Sequence, residues 1–291
     1  MSWRVVVVTG VAKLDLKMGF LVVRKEATTR IHLSEIHTLL VDSTAVSLTT
    51  ALLNELIREK IKVIFCDEAH NPASELIALH GSHDSSMKIK MQIGWPNHIR
   101  EAVWTEIVAE KIRKQSALLR HYGLEDRAGL LDTYLQELMP GDRSNREAHA
   151  AKVYFGGLFG DTFTRTEDCI ENAALNYGYS ILLSAFNREI AANGYLTQLG
   201  IFHDNRFNSF NLACDLMEPY RPLVDRLVVE SEFEFFDHDE KMKLVDLLNQ
   251  QIQINGSVQR VINAIRIYCK SVFNAINQQD LGLLQFYSNE L

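Results

Sequence analysis

Cysteine is scarce. Four occur in 291 residues, at Cys66, Cys169, Cys214 and Cys269, and no two form a Cys-x-x-Cys pair. That spacing argues against a disulfide frame, a zinc knuckle and dithiol redox chemistry, and leaves them as reduced thiols. Long apolar runs are missing as well. No uninterrupted stretch reaches the roughly 18 residues a membrane helix needs. Around the short run Val5–Val8 there is neither a basic start nor a small-residue cleavage site. The expectation is a soluble, cytoplasmic protein without a membrane partner. A Gly-x-x-x-x-Gly-Lys loop is absent, which argues against a nucleotide hydrolase, and so are a Gly-x-Ser-x-Gly elbow and a local catalytic cysteine signature. VVVVTG at 5–10 imitates the opening of a dinucleotide fold, but Val11 to Met18 offers none of the glycines that must follow. The alternation of Leu14, Leu16 and Met18 suggests a further strand there instead.

Positive charge is also short: 30 Lys and Arg stand against 37 Asp and Glu, a net of −7. The acids are concentrated, since residues 225–246 hold eight acids and three bases, a net of −5, leaving −2 for the rest. Nucleic-acid binding depends on a local patch and not on the total, so composition is neutral on DNA.

What is present is ordinary globular chemistry, 47% apolar and 23% charged, with length for one large domain or two smaller ones. Trp3–Val8, Gly19–Arg24, Arg30–Leu33 and Thr38–Val41 are short runs rich in Val, Ile, Leu and Thr. Ser47–Glu59 has helical spacing through Leu48, Ala51, Leu52 and Leu56, and Lys62–Phe65 and Glu75–Leu79 return to strand. Gly81–Lys90 is polar and weakly periodic. From Pro96 the pattern is helical, over 97–122, 124–138, 144–159, 167–192, 211–218, 220–229, 239–253 and 255–275, punctuated by Pro140, Gly200, Pro219 and Pro222. The expected class is α+β: a small β-rich N-terminal domain (1–80), a linker (81–95) and a larger all-α domain (96–291).

Three segments carry candidate chemistry. In RSNREAHAAKVYF (143–155) Asn145 can cap a helix whose first turn holds Glu147, where the helix dipole favours a negative charge. In LGIFHDNRF (199–207) His203 follows Gly200 at a loop or helix edge. In ACDLMEPYRPLVD (213–225) Asp215 and Glu218 stand three apart on one helical face, and Pro219 ends the helix. Two carboxylates so placed repel unless a cation lies between them, either a divalent ion or Arg221 as counter-ion. Taken singly, each segment has a structural explanation: a carboxylate at a helix start, a histidine satisfying backbone groups, a capped helix end.

Taken together, Asn145-Arg146-Glu147-Ala148 with Tyr154 and Phe155, Gly200-x-x-His203, and Asp215-Leu216-Met217-Glu218-Pro219-Tyr220-Arg221-Pro222 with Asp225 resemble the catalytic pattern of the universal CRISPR-associated integrase, the "Cas-one" family. NAALNYGYSILLS at 172–184 is similar to that family's helix leading to the histidine. Glu218 stands where many members carry Asp, which resembles the branch found with single-protein effector nucleases, the type II systems.

The resemblance implies a metal-dependent DNA endonuclease and integrase that inserts spacers into a CRISPR array. It implies Glu147, His203 and Glu218 as catalytic metal ligands for Mg²⁺ or Mn²⁺, with Asp215 as a supporting carboxylate. Expected partners are double-stranded DNA, a second copy forming a homodimer through the β-rich domain, a small "Cas-two" protein, and the effector nuclease of the same system. Lys111, Arg113, Lys114 and Arg120 on one long helix, with Arg143, Arg146, Lys152 and Arg165 around Glu147, are the candidate phosphate contacts, though a solvated helix face would look the same. A metal-dependent nuclease unconnected with integration and a non-catalytic DNA-binding scaffold remain open alternatives.

Overall fold

The computed structural model describes residues 4–78 and 84–288; Trp3, Leu79 and the first residues of the expected linker lie outside them. The N-terminal strands are β1 (Arg4–Val8), β2 (Ala12–Lys17), β3 (Phe20–Arg24), β4 (Thr28–His32), β5 (Ile36–Val41), β6 (Val46–Leu48), β7 (Lys62–Cys66) and β8 (Pro72–Leu76), with helix α1 (Thr50–Arg58) between β6 and β7. Met18 and Gly19, both at positive φ, join β2 to β3 in a two-residue turn of the kind that matches strand twist. The Thr49 hydroxyl accepts from Leu52 N at 3.3 Å and starts α1 two residues later than its apolar spacing suggests.

Two four-stranded sheets result, ordered β1-β5-β7-β8 and β4-β3-β2-β6. In the first, β1, β5 and β7 run parallel and β8 antiparallel. Its three parallel strands are mostly apolar because both faces are covered, whereas the edge strand β8 is polar and partly exposed. Val6, Val8, Leu39, Val41 and Val63 face Leu14 and Leu21 of the second sheet, with Leu52 and Leu56 of α1. The alternate residues Leu40, Ile64 and Cys66, with Val5 and Val7, belong to the helical core.

The helical body contains α2 (Ser85–Ile93), α3 (Asn97–His121), α4 (Glu125–Gln136), α5 (Arg146–Phe159), α6 (Ile170–Ala192), α7 (Asn211–Met217), α8 (Arg221–Ser231), α9 (His238–Asp246) and α10 (Val261–Gln278). Three expectations need correction. Much of the supposed linker is α2. The C-terminal part is not all-α, because β9 (Gln251–Ile254), β10 (Ser257–Arg260) and β11 (Tyr287–Ser288) form a sheet ordered β10-β9-β11. Asn255 and Gly256, at φ 52° and 67°, make the turn of a hairpin that takes the place of the end of the expected helix 239–253 and the start of the expected helix 255–275. Finally, Pro219 does follow the end of α7, which stops at Met217, but it does not turn the chain away from the helical path. Glu218–Tyr220 form one 3₁₀ turn and the backbone stays helical into α8, since a proline in a first turn sacrifices no hydrogen bond.

Helices α6 and α8 cross closely at Gly178, where an added Cβ would lie 2.4 Å from Val224 Cγ1, whereas Gly129 in α4 has open space. Gly178→Ala should therefore destabilise by on the order of 1 kcal/mol, overpacking outweighing the gain in helix propensity. Gly129→Ala should stabilise by up to about 1 kcal/mol. Thermal unfolding midpoints that rise for both variants would contradict the close crossing.

Candidate active site

Glu147 owes its position to a tight turn. Gly141, Asp142 and Asn145 all have positive φ, and Gly141 N donates to Thr105 Oγ1 of α3 at 2.8 Å. Asn145 is not the side-chain cap of α5. The Asp142 carboxylate takes that role, accepting from Arg146 N at 2.7 Å and Glu147 N at 3.1 Å. Burial, only partly offset by those two bonds, raises the Asp142 pKa.

The Glu147 side chain turns toward α3 and meets Lys111, whose Nζ lies 2.6 Å from Glu147 Oε1 and 2.5 Å from Glu218 Oε2. Arg221 Nε lies 2.9 Å from the other Glu218 oxygen, and its guanidinium sits over the Tyr179 ring at 4.5 Å. Lys111 and Glu218 are buried, and burial opposes their charges. For Lys111 the two carboxylates outweigh it and raise the pKa; for Glu218, Arg221 and Lys111 outweigh it and lower the pKa. Both partners are held charged. Asp225 lies beneath, accepting hydroxyl hydrogen bonds from Tyr154 at 2.9 Å and from Tyr179. Burial pushes its carboxyl up to about 6 against the pull of those tyrosines and Arg221.

His203 is held by a carboxylate the sequence assigned only a supporting part. Asp215, fully buried, accepts from Ile201 N at 2.5 Å and Phe202 N at 3.0 Å through Oδ2. Its Oδ1 accepts from His203 N at 3.1 Å and lies 2.6 Å from His203 Nδ1. Gly200 makes this possible, because a Cβ there would lie 2.3 Å from His203 O and 2.7 Å from Asp215 Oδ2. Arg100 of α3 donates to the carbonyls of Gly200 and Ile201 at 3.2 and 3.1 Å. Phe202 stacks on Trp104 at 4.5 Å, and the His203 ring meets Trp104 edge-on at 5.7 Å. The hydrogen bond to Asp215, opposed by burial and aided by the charges of Asp215, Glu218 and Glu147, holds His203 above the usual imidazole pKa.

The structure thus gathers Glu147 and Glu218 on one ammonium group and places His203 within their field. Among the described residues, no three His, Cys, Asp or Glu groups converge closely enough to hold one ion as the side chains stand. Of the expected phosphate contacts, Lys111 is buried between the carboxylates. Lys114 is largely buried too, donating to Tyr287 O at 2.6 Å. Arg113 pairs with Glu110, Arg120 with Asp132, Arg143 with Glu101 and Arg146 with Glu137. Arg165 donates to Asn172 and Asn176, and Lys152 is exposed. Sequence reasoning missed Arg100, Trp104 and Asp142, none of which lies in a recognisable motif.

An Asn at 215 offers one acceptor oxygen where three backbone N–H groups and a ring nitrogen now converge. Asp215→Asn should cost on the order of 1–3 kcal/mol and speed amide exchange at Ile201, Phe202 and His203 at least tenfold. Unchanged exchange at all three would rule out this anchoring.

The family model described as "CRISPR associated protein Cas1" matches residues 5–232. The CRISPR-associated endonuclease Cas1 of Neisseria meningitidis serogroup C is 33% identical over 230 residues, which is 79% of this chain and 76% of the relative. A solved structure described as "Casposase bound to integration product" superposes with a TM-score of 0.76 at 16% identity, covering 96% of this chain and 91% of the other. A chain of a "Cas6-RT-Cas1–Cas2 complex" gives 0.76 at 18% identity, covering 99% of this chain but 36% of that longer one. At such identities the two structures speak for the fold alone; the family match and the Neisseria relative carry the assignment. This chain belongs to the Cas1 family of CRISPR-associated proteins.

Proposed function

We propose that this protein is a metal-dependent DNA integrase and endonuclease. It inserts new spacers into a CRISPR array by attack of a fragment 3′-hydroxyl on a phosphodiester at a repeat border. The observation that carries this reading is the convergence of Glu147 and Glu218, from separate helices, on one shared cation beside a histidine fixed by Asp215. The donor types fit a hard divalent ion: two carboxylates and an imidazole suit Mn²⁺, or Mg²⁺ with more retained water. The place the carboxylates share already accepts a positive charge, that of Lys111. Glu147, His203 and Glu218 would hold the Mg²⁺ or Mn²⁺ ion, which would supply Lewis acidity toward the phosphoryl oxygen and the attacking hydroxyl.

The chain's own residues prepare that site. Asp215 engages His203 Nδ1 and leaves Nε2 as the other ring nitrogen, the arrangement in which a carboxylate orients a ligand imidazole. Lys111 and Arg221 keep Glu218 ionised despite burial. Arg113, Arg120, Arg143 and Lys152, the more exposed of the expected bases, are the candidates for phosphate contact. Assembly follows the same reading: a homodimer through the N-terminal sheets, joined to a Cas2-type partner. The likeness to the Cas6-RT-Cas1–Cas2 complex supports such a partner, and Glu218 favours the type II branch with its effector nuclease. Among the described residues no helix is long and apolar enough to cross a membrane.

Transesterification exchanges one phosphodiester for another, so joining needs no ATP. A duplex with free 3′-hydroxyls should be joined to a repeat-bearing plasmid by this protein, its partner and Mn²⁺, whereas a 3′-dideoxy fragment should fail. Cleavage products without joined strands would leave a plain nuclease in place of the integrase. Glu147→Gln and His203→Ala should each abolish joining while DNA binding measured without divalent metal, carried by phosphate contacts, is retained. Full joining by either variant in a gel assay refutes the ligand assignment.

A further inference from the structure

The place between Glu147 and Glu218 is filled by an ammonium group. Lys111 Nζ lies 2.6 Å from Glu147 Oε1 and 2.5 Å from Glu218 Oε2, and Arg221 Nε lies 2.9 Å from Glu218 Oε1. Each of the two carboxylates thus meets a cation, in a place where the Lys111 and Glu218 side chains are 7% and 4% exposed. Two further carboxylates nearby are engaged elsewhere. Asp215 is committed to three backbone N–H groups and the His203 ring, and Asp225 accepts the hydroxyls of Tyr154 and Tyr179.

A divalent ion bridging Glu147 and Glu218 must displace the ammonium group from both carboxylates. Charge repulsion between the two cations is strong at such distances and burial. A DNA phosphate offers the displaced ammonium a negative charge. The same phosphate gives the lysine somewhere to go, because its charge is a compact point on a flexible four-carbon stem, whereas the Arg221 guanidinium is fixed over Tyr179.

We infer that Lys111 is a charge gate. It neutralises Glu147 and Glu218 in the free protein, so that the divalent ion binds weakly until DNA arrives, and it then transfers its ammonium to the DNA phosphate. The inference rests on the reading of Glu147 and Glu218 as metal ligands. It assigns Lys111 a positioning role in place of the surface phosphate contact its sequence position suggests. Metal and DNA would then be taken up together, and a free protein in a magnesium-containing solution would not carry a loaded nuclease centre.

The test is Mn²⁺ binding by the full chain, followed by electron paramagnetic resonance of the free ion. It is run with and without a 3′-dideoxy duplex and corrected for Mn²⁺ held by the DNA alone. In the wild type the duplex should tighten Mn²⁺ binding at least tenfold, and Mn²⁺ should tighten duplex binding by the same factor. Lys111→Met, with its folding checked by thermal melting, should bind Mn²⁺ at least tenfold more tightly than the wild type without DNA, and the duplex should add less than threefold. Lys111→Arg, which keeps the charge, should retain the DNA dependence. Equal Mn²⁺ affinity of wild type and Lys111→Met, or a wild-type affinity indifferent to DNA, overturns the gate. Should Lys111→Met fail to fold, the wild-type reciprocity decides alone. Absence of Mn²⁺ binding under every condition would instead refute the metal reading of the site itself.

Discussion

Two carboxylates can be held together in a protein interior only if a positive charge stands between them, and much of this molecule is organised around meeting that condition. The charge is Lys111, midway along α3, and α3 acts as the spine on which the other parts are hung. One to two turns before it, Thr105 accepts from Gly141 N in the turn that leads to Glu147, and Trp104 takes Phe202 against its face. A further turn back, Arg100 holds the carbonyls of Gly200 and Ile201. The acidic helix start and the histidine loop are thus registered against one rigid element, which fixes their mutual position better than direct contact between two loops could.

From the other side the Glu218 joint is braced by the end of the chain. The Tyr287 hydroxyl donates to Pro219 O at 3.0 Å, and Lys114 Nζ lies 3.6 Å from the centre of the Tyr287 ring. This explains why a lysine that looks like a surface base on a helical wheel is largely buried: its charge serves a carbonyl and a ring.

The division of labour between sequence and structure is instructive residue by residue. The β-rich start and helical remainder were legible because their apolar periods differ, and the words containing Glu147, His203 and Glu218 were legible because they are distinctive. The helices expected over 239–253 and 255–275 run into a hairpin although Ile252, Ile254 and Asn255-Gly256 signal one; the acids and amides around it keep a helical rhythm that hides a four-residue strand. The end of α7 beside Pro219 is legible, but the direct passage into α8 is not, because a proline marks a stop in sequence and is equally at home in a first turn. Charge pairing was the least legible feature. Glu110 meets Arg113 and Lys114 at the helical spacings three and four, but Asp132 reaches Arg120, and the carbonyl of Tyr287 reaches Lys114, only in three dimensions. Capping by Asp142 was hidden for a similar reason, since it acts across a turn with three residues at positive φ.

The parallel sheet β1-β5-β7 has apolar side chains on both faces, one toward its partner sheet and one toward the helices. A strand layer of this kind cannot be a swivel. Turning the N-terminal strands against α6 would bring Leu40, Ile64 and Cys66 into water together, so small relative rotations are opposed across the whole area at once. Arg188 on α6, donating to Lys60 O at 2.9 Å, and Lys241 on α9, donating to Ala69 O, pin the same boundary at its rim. The strands and the helices therefore turn together: whatever grips the sheets also orients the helices that carry Glu147 and Glu218.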